Sequence, residues 1–221
     1  MAGIVGLEEI QHPNGTSVAT VNSAGYLQDT GGHQLSAGFV RLASAEWTTD
    51  TDGVNFDVID PAKYTNYFLY WYVSHAYASS SSHWNITGLY FRTASGTISS
   101  GTVYRNNVMW VNPGSTSEAV NNTGYAGDKN CAWLAGNGNG YDSHGYCTIT
   151  TPNSSLFKAS IRGSSQLVNR SSSDHYREDF SSTLEGSTKA NAITGVRFAS
   201  WDAPTGRYSQ FGSVQLYGLT K

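Results

Sequence analysis

The sequence predicts an all-β protein, an antiparallel β-sandwich of jelly-roll type preceded by a short extended N-terminal arm. Three observations carry this. Only 13% of the 221 residues are charged, while 13% are aromatic, and Gly, Ser, Thr and Asn take the place of the missing charge. That mixture suits pleated strands and tight turns and is poor for helices. Alternating segments recur at intervals of roughly 8–20 residues, about ten in all, and no segment carries an apolar stripe at helical spacing. Finally, the phrase Ile86-Thr87-Gly88-Leu89-Tyr90-Phe91 returns as Ile193-Thr194-Gly195-Val196-Arg197-Phe198. Such an echo marks equivalent strands of a two-sheet structure.

Residues 1–32 form the arm. Its apolar positions, Ile10, Val18, Val21, Tyr26 and Leu27, are sparse, and Asn14-Gly15 and Ala24-Gly25 read as turns. Two short strands with so small a core are not stable alone. Either the segment is a flexible leader, or it orders on docking to a partner or to another copy of the chain. The second makes residues 1–32 an anchoring and assembly arm.

Residues 33–221 form the sandwich. Phe39 to Leu42 is a short strand, and Val54 to Ile59 alternates. Tyr64 to Ala78 is the strongest segment, with Tyr67, Leu69, Trp71, Val73 and His75 on one face and Phe68, Tyr70 and Tyr72 on the other. A strand with two such faces is either covered on both sides, or covered on one and lined with exposed tyrosines on the other. Trp84 to Arg92 follows, with Gly101 to Tyr104 in its expected partner. Asn106 to Val111 is another strand, and residues 112–130 read as a long surface loop. Shorter candidates are Tyr146 to Thr150, Ser155 to Ile161, Gln166 to Asn169 and Asp179 to Leu184. Ile193 to Phe198 and Ser213 to Leu219 read as two strands joined by a polar turn, a last hairpin that closes a sheet.

Composition also excludes functions. The formal net charge is −3 and no basic cluster occurs, so no nucleic-acid partner is expected, because counterion release needs several Lys or Arg in one patch. No apolar run approaches the roughly 20 residues of a membrane span, so no membrane partner is expected. Met1 to Glu9 lacks the basic start and long apolar run of a signal peptide, so the chain is expected to be either cytosolic when made or already processed, and the initiator Met favours the first.

Cys131 and Cys147 flank the turn-forming tract Gly136 to Gly140. A hairpin there brings the sulfurs together, and a disulfide would then close a short loop worth about 3 kcal/mol. Two buried free thiols are the other reading, and both stay open. The spacing lacks the paired pattern of a zinc site, so no metal is expected.

Catalytic patterns are weak. Asp142-Ser143-His144 places an acid, a hydroxyl and an imidazole in one loop, but triads are assembled from distant segments. Asp174-His175 and Glu178-Asp179 are the densest ionisable group. They read as solvated loop charges rather than metal ligands or glycosidase acids. The expectation is a chain with no catalytic residues and no cofactor. Aromatics are the better lead, because sugars lay their apolar faces on Trp and Tyr rings. Trp133, Tyr141, His144 and Tyr146 bracket the glycine tract, and Trp201 lies beside Asp202 in the last turn. These five are the candidate glycan-binding residues.

Two stretches carry a family resemblance. Gly6-Leu7-Glu8-Glu9-Ile10-Gln11-His12-Pro13-Asn14-Gly15-Thr16, with Val21-Asn22-Ser23-Ala24-Gly25-Tyr26-Leu27, resembles the leaders of small structural proteins of tailed phages. Val54-Asn55-Phe56-Asp57 with Tyr64-Thr65-Asn66-Tyr67, and Ile193 to Phe198 with Val214 to Leu219, are similar to the β-sandwich domains of those proteins. The resemblance implies a non-enzymatic virion protein assembled in the host cytoplasm: a capsid decoration (cement) protein, head fibre or tail fibre, often trimeric. The implied partners are other virion proteins and copies of the chain itself. A lectin or receptor-binding reading, with a host surface polysaccharide as ligand, stands beside it.

Overall fold

The computed structural model describes residues 9–11, 17–21, 27–29, 39–49, 51, 53–75, 85–98, 104–111, 125–126, 132–137, 141–169, 175–185, 187–200 and 209–219. The protein is all-β. Sixteen strands and one short 3-10 turn, Ala190–Ala192, occur among these residues, with no α-helix.

Eight strands form the larger sheet. In spatial order they are β10 (Tyr125–Ala126), β9 (Tyr104–Val111), β14 (His175–Leu184), β13 (Ser160–Asn169), β12 (Tyr141–Thr150), β6 (Asn66–His75), β16 (Ser209–Leu219) and β4 (Phe39–Trp47). The smaller sheet runs β11 (Ala132–Asn137), β7 (Asn85–Thr93), β15 (Gly195–Ser200) and β5 (Gly53–Phe56), with β8 (Gly96–Thr97) also paired to β7. Every pairing is antiparallel.

The two sheets bury one core between them. β6 shows the alternation best: Tyr67, Leu69, Trp71 and Val73 point inward and are fully buried, whereas Tyr70 and Tyr72 face outward and are exposed. Of the two expectations for this strand, the one-sided reading holds. Opposite it, the smaller sheet contributes Leu89, Phe91, Val196 and Phe198. The Trp71 and Phe198 ring centroids lie 6.1 Å apart. Two glycines make room for the indoles. A Cβ on Gly145 would come within 2.5 Å of Trp71, and one on Gly212 within 2.5 Å of Trp47. Tyr104 ties the layers together, since its hydroxyl accepts the Phe91 N–H at 2.7 Å across the core.

The echoed phrases fall on neighbouring strands of one sheet rather than one in each. β7 and β15 are direct neighbours in the smaller sheet, with Phe198 opposite Leu89 and Val196 opposite Phe91. Their followers are not as expected. β15 and β16 form no hairpin, because β15 lies in the smaller sheet and β16 between β4 and β6 in the larger one. Tyr104 likewise does not pair with β7; it opens β9, and the turn partner of β7 is β8. Residues 152–159 are a loop rather than the start of a strand, and Leu156 in it is 82% exposed. Tyr125–Ala126, inside the expected long loop, forms the edge strand β10.

In the arm, β1 (Glu9–Gln11), β2 (Ser17–Val21) and β3 (Leu27–Asp29) pair as a separate three-stranded antiparallel sheet, one strand more than the sequence pattern gives. Ile10 stands opposite Ala19, and Val21 opposite Leu27; Val18 lies in β2, and Tyr26 lies outside the described residues.

The glycine tract is not a hairpin turn either, since β11 and β12 belong to different sheets. Cys147 is a free, buried thiol, and Cys131 lies outside the described residues. Burial pushes the Cys147 thiol pKa far up.

Candidate functional site

The outward face of the larger sheet is built from residues that strand alternation turns away from the core. Cross-strand register decides which of them meet. On the first half of the face, Thr148 of β12 stands opposite Arg162 of β13, which stands opposite Ser181 of β14. Tyr146 pairs with Ser164, Ser164 with Asp179, and Asp179 with Met109 of β9. Together these residues line a groove of about 1000 Å³ that crosses β12, β13, β14 and β9. Its floor holds small hydroxyl side chains, Thr148, Thr150, Ser160, Ser164 and Ser181, which leave space above the backbone.

One wall of the groove is aromatic. Tyr146 is 51% exposed. Its ring stacks on Phe68 of β6, with centroids 5.8 Å apart and planes inclined by 21°. The stacking holds the ring in place while leaving its other side open, an arrangement suited to the apolar face of a sugar. Beyond Tyr146 the face continues as an aromatic terrace. Tyr70, 44% exposed, stands opposite Tyr146. Tyr72 packs at 6.0 Å on Phe211, and Tyr217 lies opposite Phe68 and donates its hydroxyl to Gln215. From β9 to β16 the groove and terrace cross five strand spacings, roughly 24 Å at the usual strand separation.

Charge in the groove is sparse and positive on balance. Arg177 and Asp179, two residues apart on β14, bond to each other at 3.1 and 3.3 Å. Arg162 is exposed and, among the described residues, has no carboxylate partner.

The structure separates the five predicted glycan residues. His144 and Tyr146 share the outward face of β12, with His144 opposite Tyr72 and Gln166. Tyr141 begins the same strand. Trp133 lies in β11 of the smaller sheet, opposite Gly88, so it does not belong to this face. Trp201 lies outside the described residues.

Two ionisable clusters change meaning. Asp142, Ser143 and His144 are in a strand rather than a loop, and alternation points Ser143 inward, where it accepts the Trp71 indole N–H at 3.3 Å. His144 faces the other way, so this hydroxyl and this imidazole cannot cooperate. Glu178 is not a solvated loop charge. It is fully buried on the core face of β14, within 3.4 Å of the Ser165 hydroxyl, whereas Asp179 faces the groove. The two carboxylates stand on opposite sides of the sheet and cannot flank one glycosidic bond. Among the described residues no group of three or more His, Cys, Asp and Glu is placed to hold a metal ion.

Sequence reading missed Phe68, Tyr70, Arg162 and Arg177 as members of the site. The alternation of β6 was a usable signal for the first two. The arginines become neighbours of Tyr146 only through the register of β12, β13 and β14, which local sequence does not reveal.

No family model matches the chain, and no curated protein matches it. Among solved structures, the chain is similar to a crystal structure of a family 7 alginate lyase, A1-II', in complex with its substrate. The two are 12% identical over 96% of this chain and 92% of that one, with a TM-score of 0.26. A likeness at that level carries no argument about this chain's fold or chemistry.

Proposed function

We propose that this chain is a non-enzymatic structural and adhesive protein of a tailed-phage virion, a short fibre or capsid decoration protein. Its arm, residues 1–32, anchors it to other virion proteins. Its sandwich, as one of three copies, turns outward and holds a surface polysaccharide on the larger sheet. The observation that supports binding is the groove itself: an aromatic wall at Tyr146 above a floor of Ser and Thr, carried on strands whose other face is locked in the core. Aromatic stacking plus hydroxyl-rich contact is what a sugar chain requires, and rigid strands hold such a site at low entropic cost. The virion assignment is supported by the phage-like leader and closing phrases.

Electrophoresis through gels cast with dextran, galactomannan or polygalacturonate tests the binding. At least one polymer should retard the protein. Tyr146→Ala should weaken that retardation about five- to tenfold, the loss of one aromatic platform worth roughly 1 kcal/mol. Free migration through every polymer would remove the adhesive role.

A further inference from the structure

We infer that the groove is specific for an acidic polysaccharide, a uronate polymer whose carboxylate is taken by Arg162. This rests on the polysaccharide reading above and narrows its ligand class. Arg162 projects from the middle of the groove, between Thr148 and Ser181, neither of which can neutralise it. Among the described residues Asp179 is the one carboxylate lining the groove, and Arg177 of the same strand already holds it. The local balance is therefore positive, in a chain whose net charge is −3. A guanidinium that has no carboxylate partner among the described residues, set over hydroxyl side chains, presents its planar fork to whatever enters. That fork matches a carboxylate with two parallel hydrogen bonds. Tyr146, one cross-strand pair away on the same face, can receive the ring of the sugar that carries the acid.

The test compares polygalacturonate with carboxyl-reduced polygalacturonate, and dextran sulfate with dextran, by calorimetric titration in about 50 mM salt, where exposed charges are weakly screened. Polygalacturonate should bind about tenfold to a hundredfold more tightly than its reduced form, as expected for a charge-assisted hydrogen-bonded pair. Arg162→Gln should abolish that preference, lowering affinity for polygalacturonate to the level of the reduced polymer. Arg162→Lys should restore part of the preference. Asp179→Asn should raise affinity for polygalacturonate severalfold. Three results would overturn the inference while sparing the polysaccharide reading: equal affinity for the acidic and reduced polymers, a preference that survives in Arg162→Gln, or dextran sulfate bound as tightly as polygalacturonate and through the same arginine. Binding to none of the four polymers would count against both.

Discussion

Trp71 and Gly145 face each other across β6 and β12, and the pair exists only because one partner has no side chain. A Cβ at Gly145 would meet Trp71 at 2.5 Å and the backbone oxygen of Ser164 at 2.7 Å. Neither can retreat cheaply, because Trp71 is fully buried. Gly145→Ala should therefore destabilise the fold by about 1–3 kcal/mol, read from urea denaturation. Buried ionisable groups set the response to alkali. Burial raises the Cys147 thiol pKa, and burial likewise pushes Tyr67 up to about 12. In the unfolded chain the thiol loses its proton near pH 8.5. Above that pH the unfolded state binds fewer protons than the folded one, so stability is full below it and falls as pH rises. Cys147→Ala should flatten the loss between about pH 8.5 and 10 by at most roughly 1.4 kcal/mol per pH unit, measured as denaturation free energy against pH. Below pH 8 the variant's curve should run parallel to that of the parent.

Among elements, β6 and β14 mark how far the sequence could be read. The alternation of β6 announced both its faces, because bulky residues occupy every position from Tyr67 to Val73. β13 spans ten residues but was legible only in pieces, since Gly163, Ser164 and Ser165 carry no strand signal of their own. Their neighbours supply it: Gly163 stands between Cys147 and Phe180, in a sheet already ordered on both sides. β14 hid a different fact. In Tyr176-Arg177-Glu178-Asp179-Phe180 a charged run reads as solvent-facing, yet Glu178 is fully buried. The β15–β16 crossover escaped for a third reason. Connections reveal whether strands are close in sequence, not whether they share a sheet. The arm's strands of three, five and three residues pair, among the described residues, only with one another. Deleting residues 1–32 should leave the melting temperature of the remainder within about 2 °C, less than one kcal/mol for a chain of this size. The same deletion should abolish incorporation into particles, scored by immunoblot of purified virions. Undiminished incorporation would take the anchoring role away from the arm.

At the scale of the whole molecule, one layer is spent on the core and one face is left for contact. The smaller sheet and the inward side of the larger one enclose the aromatic centre around Trp71, Phe91, Phe180 and Phe198. The outward side of the larger sheet carries the groove and terrace. A particle protein that uses such a face repeatedly gains through multivalency, since linked weak sites exceed any single affinity by about 10²–10⁴. On the proposed virion role, quantitative mass spectrometry of particles should find the chain at a multiple of three copies. Hundreds would mean a shell coat, and about a dozen an appendage.

The position of β16 has a temporal consequence. Among the described residues β4 pairs with no strand other than β16, although some 160 residues separate them in the chain. On a translating ribosome, at about 5–20 residues per second, the nascent β4 edge stays without its mate for roughly 8–35 seconds. Until then a chaperone, or a neighbouring nascent chain, can occupy that edge instead. Slower elongation or a warmer culture should therefore divert more of the product into inclusion bodies, even though in the finished fold β16 covers that edge of β4 along its length.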